Sequence, residues 1–288
     1  MKRANDAPGE GGQSFQSVRL SPLSIASRSK VAATHPLEQT RHRPWPLPQR
    51  PWALFMRWTD LAFLHWPVPA DLLRPLIPPA LALDTYDGMA WLGVVPFRME
   101  GTRVRWAPSI PTATTFPEAN LRTYVTGAGR AGVWFFSLDA GSRLATWAAR
   151  LALALPYHYA RMRIDPSADQ THYRSARLQP EPTPAVLRAS YAATGSVYRS
   201  TPGALDHWLT ERYCLFGQRR SGAVYYLDIH HLPWPLEPGT AHVTEVKLTR
   251  AIGVTVPRTP LLVHLAKRLD VWAWAPVTLP PDHTALPS

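Results

Sequence analysis

A chain of 288 residues with one cysteine, Cys214, can form neither an internal disulfide nor a four-cysteine zinc site. Its formal net charge of +11 rests on 31 basic residues. Only four are lysines, and the rest are spread thinly instead of gathered on one helix or patch, which argues against nucleic-acid binding. No stretch reaches the roughly 18 uninterrupted apolar residues of a membrane helix, so a cytoplasmic protein without membrane association is expected.

Residues 1–47 are rich first in Gly, Ser, Ala and Gln, then in Pro, with no apolar periodicity. Such a segment buries too little surface to offset its chain entropy and is predicted to be a disordered tail. One domain is expected over 48–280, followed by a short tail, 281–288. From Ala53 to His65 aromatic and apolar residues alternate as in a strand. Pro69 and Asp71 open a short helix that Pro78-Pro79 closes, and Asp84 and Asp87 serve a turn at Gly88. A strand follows over Ala90–Phe97. Ser142 is a candidate N-cap for a helix to Leu155, with Leu144, Trp147, Ala148 and Leu151 at helical spacing. Short alternating segments between Met162 and Tyr198 read as antiparallel strands, as do Val224–His230 and Leu261–Trp274. A short amphipathic helix covers Gly203–Tyr213. Many closely spaced strands with few helices predict an α+β, mainly antiparallel fold: a curved, barrel-like sheet with flanking helices.

The stretch Phe116-Pro-Glu-Ala-Asn-Leu-Arg-Thr-Tyr-Val125 is the most informative in the chain. As a strand it places Glu118, Asn120, Arg122 and Tyr124 on one face and Ala119, Leu121, Thr123 and Val125 on the other. The polar row either lines a pocket or forms a surface with a Glu118–Arg122 ion pair, and pocket lining is the working reading. The adjacent histidines His230 and His231, with His242, lack metal-site spacing, so no metal is expected. No nucleotide or serine-hydrolase fingerprint is present, and no cofactor is expected.

Several phrases carry a family resemblance: Leu64-His-Trp-Pro-Val-Pro69, Leu83-Asp-Thr-Tyr-Asp-Gly88, the Phe116–Val125 strand, Phe136-Ser-Leu-Asp139, Leu209-Thr-Glu-Arg-Tyr213 and His231-Leu-Pro-Trp-Pro-Leu236. On these the chain resembles the YqjF-like family of conserved bacterial proteins, itself similar to the acetoacetate-decarboxylase-like superfamily. The resemblance implies a curved β-sheet around a central pocket. It also implies that Glu118 matches the superfamily's strand Glu, that Arg150 matches its Arg, and that Leu155-Pro-Tyr-His158 stands where Phe-Pro-Lys-Lys would be. Tyr157 and His158 thus replace the lysine pair, and neither can form an imine with a ketone. Lys247 and Lys267 are the remaining lysines of the domain, and Glu245 beside Lys247 would raise its pKa, the wrong direction for a Schiff-base nucleophile.

The expected function is binding or transformation of a small acidic organic molecule in a polar pocket without a Schiff base. Glu118 and His158 are the candidate acid–base groups, and Asn120, Arg122, Tyr124, Arg150 and Tyr157 the candidate ligand contacts. A non-catalytic binding or regulatory module on the same fold is the alternative, and self-association into a homo-oligomer is left open.

Overall fold

The computed structural model describes residues 34–107, 114–178 and 184–280. Of the tails expected at 1–47 and 281–288, residues 1–33 and 281–288 lie outside the described residues. Residues 35–47 belong to the domain, contrary to expectation. Arg43 is buried and donates to the carbonyl of Ile229 (2.6 Å), while the Trp45 indole donates to Asp228 (2.8 Å). Composition misses this because the segment docks through a few polar anchors, not an apolar stripe.

Thirteen strands form one mixed sheet. They are β1 (Leu54–Val68), β2 (Ala82–Leu83), β3 (Ala90–Val104), β4 (Phe116–Gly127), β5 (Arg130–Ala140), β6 (Tyr157–Pro166), β7 (Thr171–Arg177), β8 (Val186–Ala193), β9 (Cys214–Gln218), β10 (Val224–His230), β11 (Glu237–Val246), β12 (Leu262–Ala273) and β13 (Val277–Thr278). The α-helices lying wholly within the described residues are α1 (Ala70–Leu73), α2 (Arg143–Leu153) and α3 (Leu205–Thr210). Pairing is mostly antiparallel, but β5 runs parallel to both β6 and β9. The sheet closes on itself through β12–β1–β3–β4–β5–β9–β10–β12. A second circuit returns from β5 to β12 through β6, β7, β8 and β11. The circuits are not uniform. β1 matches β12 over eleven residue pairs, whereas β10 meets β12 over two and β5 meets β9 over two.

Local chemistry explains the elements. In the β4–β5 hairpin Ala128 (φ 50°) and Gly129 (φ 68°) form the two-residue loop, and positive φ at both suits the right-handed twist of the strands. Asp87 (φ 49°) and Gly88 (φ 77°) turn the chain in the same way between Tyr86 and Met89. The Ser142 hydroxyl accepts from the amide of Ala145 and caps α2. The large residues placed at helical spacing on this helix are mostly exposed: Leu144, Trp147 and Leu151 are 58%, 63% and 73% exposed. What α2 turns toward the sheet is mostly small, Ala145, Thr146 and Ala149 with Leu153 at its end, so the helix covers the ring without filling it.

The alternation on β4 separates two interiors. Ala119 and Leu121 pack with Tyr173, Leu187, Tyr191 and Val243. Phe116 packs on the opposite side with Leu61, Phe63, Phe97, Leu227 and Trp234.

Candidate functional site

The second of these interiors is incompletely filled. It holds a cavity of about 570 Å³ enclosed by β1, β3, β4, β5, β10 and α2. Glu118, Asn120 and Arg122 on β4 and Tyr157 on β6 line it, joined by Arg212 and His231. Most of the remaining wall is apolar, with Trp58, Phe63, Phe97, Phe135 and Trp234 contributing large faces. The expected pocket was a polar one lined by the β4 row. The observed one is apolar with a single polar wall, because β4 alone among the enclosing strands brings a row of polar side chains to it.

Glu118 is 2% exposed. Burial pushes its carboxyl up to about 8, against the opposing effect of the Tyr157 hydroxyl, which donates to Oε2 at 3.2 Å; the Asp139 carboxylate raises it further. Tyr157 itself is pushed well above the ordinary phenol range by burial and by Glu118. The Tyr173 hydroxyl donates to the Glu118 carbonyl (2.8 Å) and fixes the strand from behind.

Asn120 and Arg122 are buried at 6% and 8% exposure, yet Asn120 Oδ1 and Arg122 Nε have no hydrogen-bond partner among the described residues. The Glu118–Arg122 ion pair is not formed, since four residues of strand separate the two groups by about 13 Å. The Arg122 guanidinium lies instead over the rings of Phe63 (5.2 Å) and Tyr124 (5.7 Å). Its single hydrogen bond, to the Leu209 carbonyl, is long at 3.5 Å. Arg212 is already engaged, with Asp84 at 2.6 Å.

Three predicted contacts lie elsewhere. His158 follows Tyr157 on β6 and so turns away from the cavity, its Cα opposite that of Asp139. Arg150 is exposed on α2, a helix whose arginines lie outside the cavity. Tyr124 shares the face of Arg122 but is fully buried beyond the end of the cavity, against Trp208 (4.8 Å).

His65 is a residue the sequence reasoning missed. Its Nε2 and the Tyr124 hydroxyl share a hydrogen bond of 2.6 Å, and burial with Arg122 nearby holds the imidazole well below its ordinary pKa, neutral at pH 7. Gly93 makes room for it. Gly93 lies opposite His65 on β1 and opposite Arg122 on β4, and a Cβ there would meet the His65 ring at 3.2 Å and Arg122 Cγ at 3.3 Å. A lone histidine at the end of the apolar alternation Leu61, Phe63, His65 was the available signal.

Lys247 is ion-paired with Glu245 (2.5 Å), and Lys267 is 82% exposed beside Glu237. Neither lines the cavity. His230 and His231 spend ring nitrogens on the carbonyls of Pro36, Leu232 and Arg212, and no group of three metal-ligating side chains exists among the described residues. No helix among them is long and apolar enough to cross a membrane.

Comparison with known proteins agrees with this architecture. The DUF2071 family model, described as an uncharacterised conserved protein, matches residues 55–270. The uncharacterised protein YqjF of Bacillus subtilis (strain 168) is 42% identical over 228 residues, 79% of this chain and 93% of that protein. An acetoacetate decarboxylase-like enzyme from Sphingomonas wittichii RW1 superposes with a TM-score of 0.57 at 14% identity, covering 80% of this chain and 94% of that one. The enduracididine biosynthesis enzyme MppR complexed with pyruvate gives 0.55 at 12% identity, covering 82% and 93%. Acetoacetate decarboxylase from Legionella pneumophila gives 0.51 at 14%, covering 83% and 94%. At these identities the likeness is one of fold.

Proposed function

The chain belongs to the DUF2071 family of uncharacterised conserved proteins, and we propose that it binds a small organic acid in the cavity beside β4, with the carboxylate on Arg122 and a proton moved at Glu118. The observation that carries this reading is Arg122 itself. A buried guanidinium without a carboxylate partner is costly, and an anionic ligand relieves that cost. The planar fork suits a carboxylate, and Asn120 beside it supplies an amide. A structural neighbour, MppR, is complexed with pyruvate, which has such a carboxylate.

Glu118 supports the chemical half of the proposal. With its carboxyl up at about 8 it carries a proton at neutral pH and can donate it to a ligand carbonyl. The reaction proceeds without an imine. The lysines of the domain are ion-paired away from the cavity, and the sequence resemblance puts Tyr157 at the position of the superfamily's Schiff-base lysine.

Calorimetric titration with pyruvate and acetoacetate, for the wild type and Arg122→Met, tests the binding. The substitution is expected to weaken binding by about 30-fold or more, the usual scale for removing one partner of a buried charge pair. Equal binding by both proteins refutes the assignment. Proton NMR in D₂O then tests the chemistry through exchange at carbons next to the ligand carbonyl, which Glu118→Gln should abolish. Binding without exchange in the wild type would make the protein a non-catalytic module. A borohydride-trapped adduct on Lys247 or Lys267 would restore the Schiff base.

A further inference from the structure

The cavity is far larger than its polar wall requires, and we infer that its ligand is an amphipathic monocarboxylate whose body, of about ten carbons or more, fills the apolar chamber under α2. This rests on the carboxylate reading of Arg122 and goes beyond it to the class of acid. At about 30 Å³ per non-hydrogen atom, a volume of about 570 Å³ holds roughly 15–20 such atoms. A carboxylate accounts for three of them. A short keto acid seated at Arg122 would leave the faces of Trp58, Phe97 and Trp234 in contact with water.

The wall chemistry narrows the class. Beyond the β4 row and Tyr157, a ligand body meets chiefly aromatic and aliphatic carbon. A hydroxyl placed there without a partner is penalised, and a charged phosphate far more, which selects against sugars and phosphoesters. Charge selects for one acid group. Arg212 is committed to Asp84, which leaves Arg122 as the inner cation. Arg103, toward the mouth, stacks on Phe55 and Trp52 at 5.0 and 5.5 Å and is partly open to solvent, where a second carboxylate would gain little.

Helix α2 keeps the chamber open. Its cavity-facing positions are mostly small, Ala145, Ala148, Ala149 and Ala152, with Leu153 at the C-terminal end, while Trp147 and Leu151 point outward. The exposed Leu144, Ala148 and Ala152 also line the cavity, so the helix marks the mouth, and Glu118 and Arg122 mark the buried end. An acid enters head first and leaves its tail beneath the helix.

Titration of the full-length protein with butanoate, hexanoate, octanoate, decanoate and decanol tests this, followed by calorimetry and by tryptophan fluorescence from Trp58 and Trp234. Affinity for the acids should rise about fourfold per added methylene, the increment for burying one CH₂. Decanoate should bind at least tenfold more tightly than decanol. Ala149→Phe should remove most of the chain-length dependence, with its urea midpoint measured as a check on folding. Ala152→Phe, at an exposed position, makes the same test should Ala149→Phe unfold. Affinity that is flat from butanoate to decanoate, yet lost in Arg122→Met, would overturn the inference and leave the carboxylate site standing. Decanol binding as tightly as decanoate would overturn both. Undiminished decanoate binding in a folded Ala149→Phe or Ala152→Phe protein would place the tail outside this chamber and also refute it.

Discussion

Replacing Glu118 with Gln should stabilise the ligand-free protein at neutral pH, by an amount that depends on pH in a defined way. The carboxyl ordinarily titrates near 4.5 and is pushed up to about 8 in the folded protein, mainly by burial. Below pH 4.5 it is protonated in both states, so its titration contributes nothing to the folding equilibrium. Between 4.5 and 8 the unfolded chain has lost the proton and the folded protein has kept it. Folded stability therefore falls as pH rises, by about 1.4 kcal/mol per pH unit. By pH 7 the accumulated loss is about 3 kcal/mol, and above pH 8 it levels off near 5 kcal/mol. Glutamine keeps the shape, still accepts from the Tyr157 hydroxyl through its carbonyl oxygen, and does not titrate. Urea unfolding of both proteins at half-unit steps from pH 5 to 8.5 should give curves that diverge with increasing pH, the variant being the more stable. Parallel curves would show that Glu118 titrates normally and would remove the basis for treating it as an acid at pH 7.

Two further outcomes follow from the surroundings of the site. Gly93→Ala should cost about 1–3 kcal/mol by crowding the His65 ring and the Arg122 stem together, and should weaken carboxylate binding in calorimetry; unchanged stability and binding would mean that both side chains yield without consequence. A chain beginning at residue 46 should melt below one beginning at residue 34, because it lacks the anchors of Arg43 on Ile229 and Trp45 on Asp228. Each such bond is worth about 0.5–1.5 kcal/mol, more where charged, so equal thermal midpoints would show that this segment is not docked.

The fold was legible wherever one face of a strand differs from the other. Glu118 through Tyr124 announced an inward polar row because period-two alternation needs no partner to be seen. The turn at Asp87-Gly88 was equally local. Ring closure was not legible, since two-residue pairings such as Ile229 with Ala273 leave no pattern in either strand. The outward turn of α2 was hidden for a related reason. Its leucines and Trp147 carry the periodicity of a buried helix, and only the cavity beneath explains why alanines face in. Among the site residues, Tyr157 and His158 could not both reach one cavity from adjacent strand positions. His65 lay in an apolar run where only Gly93, on a different strand, reveals the space reserved for it.

The short pairings of β9 and β10 set how this molecule comes apart. These two strands carry Leu215, Leu227 and Ile229 of the cavity wall; they pair with β5 and β12 over two residue pairs on each side, and β10 is held further by two pairs with β13 and by Arg43, Trp45 and Arg130. Once those side-chain anchors release, the hairpin can swing out as a unit while the long ladders of β1, β3 and β12 stay zipped. Amide exchange along Cys214–His230 should accordingly be faster than along β1, β3 and β12, at rates set by a sub-global opening and not by global unfolding. A bulky ligand could then enter through a parted seam as well as past α2, and its residence time would report the lifetime of the open hairpin.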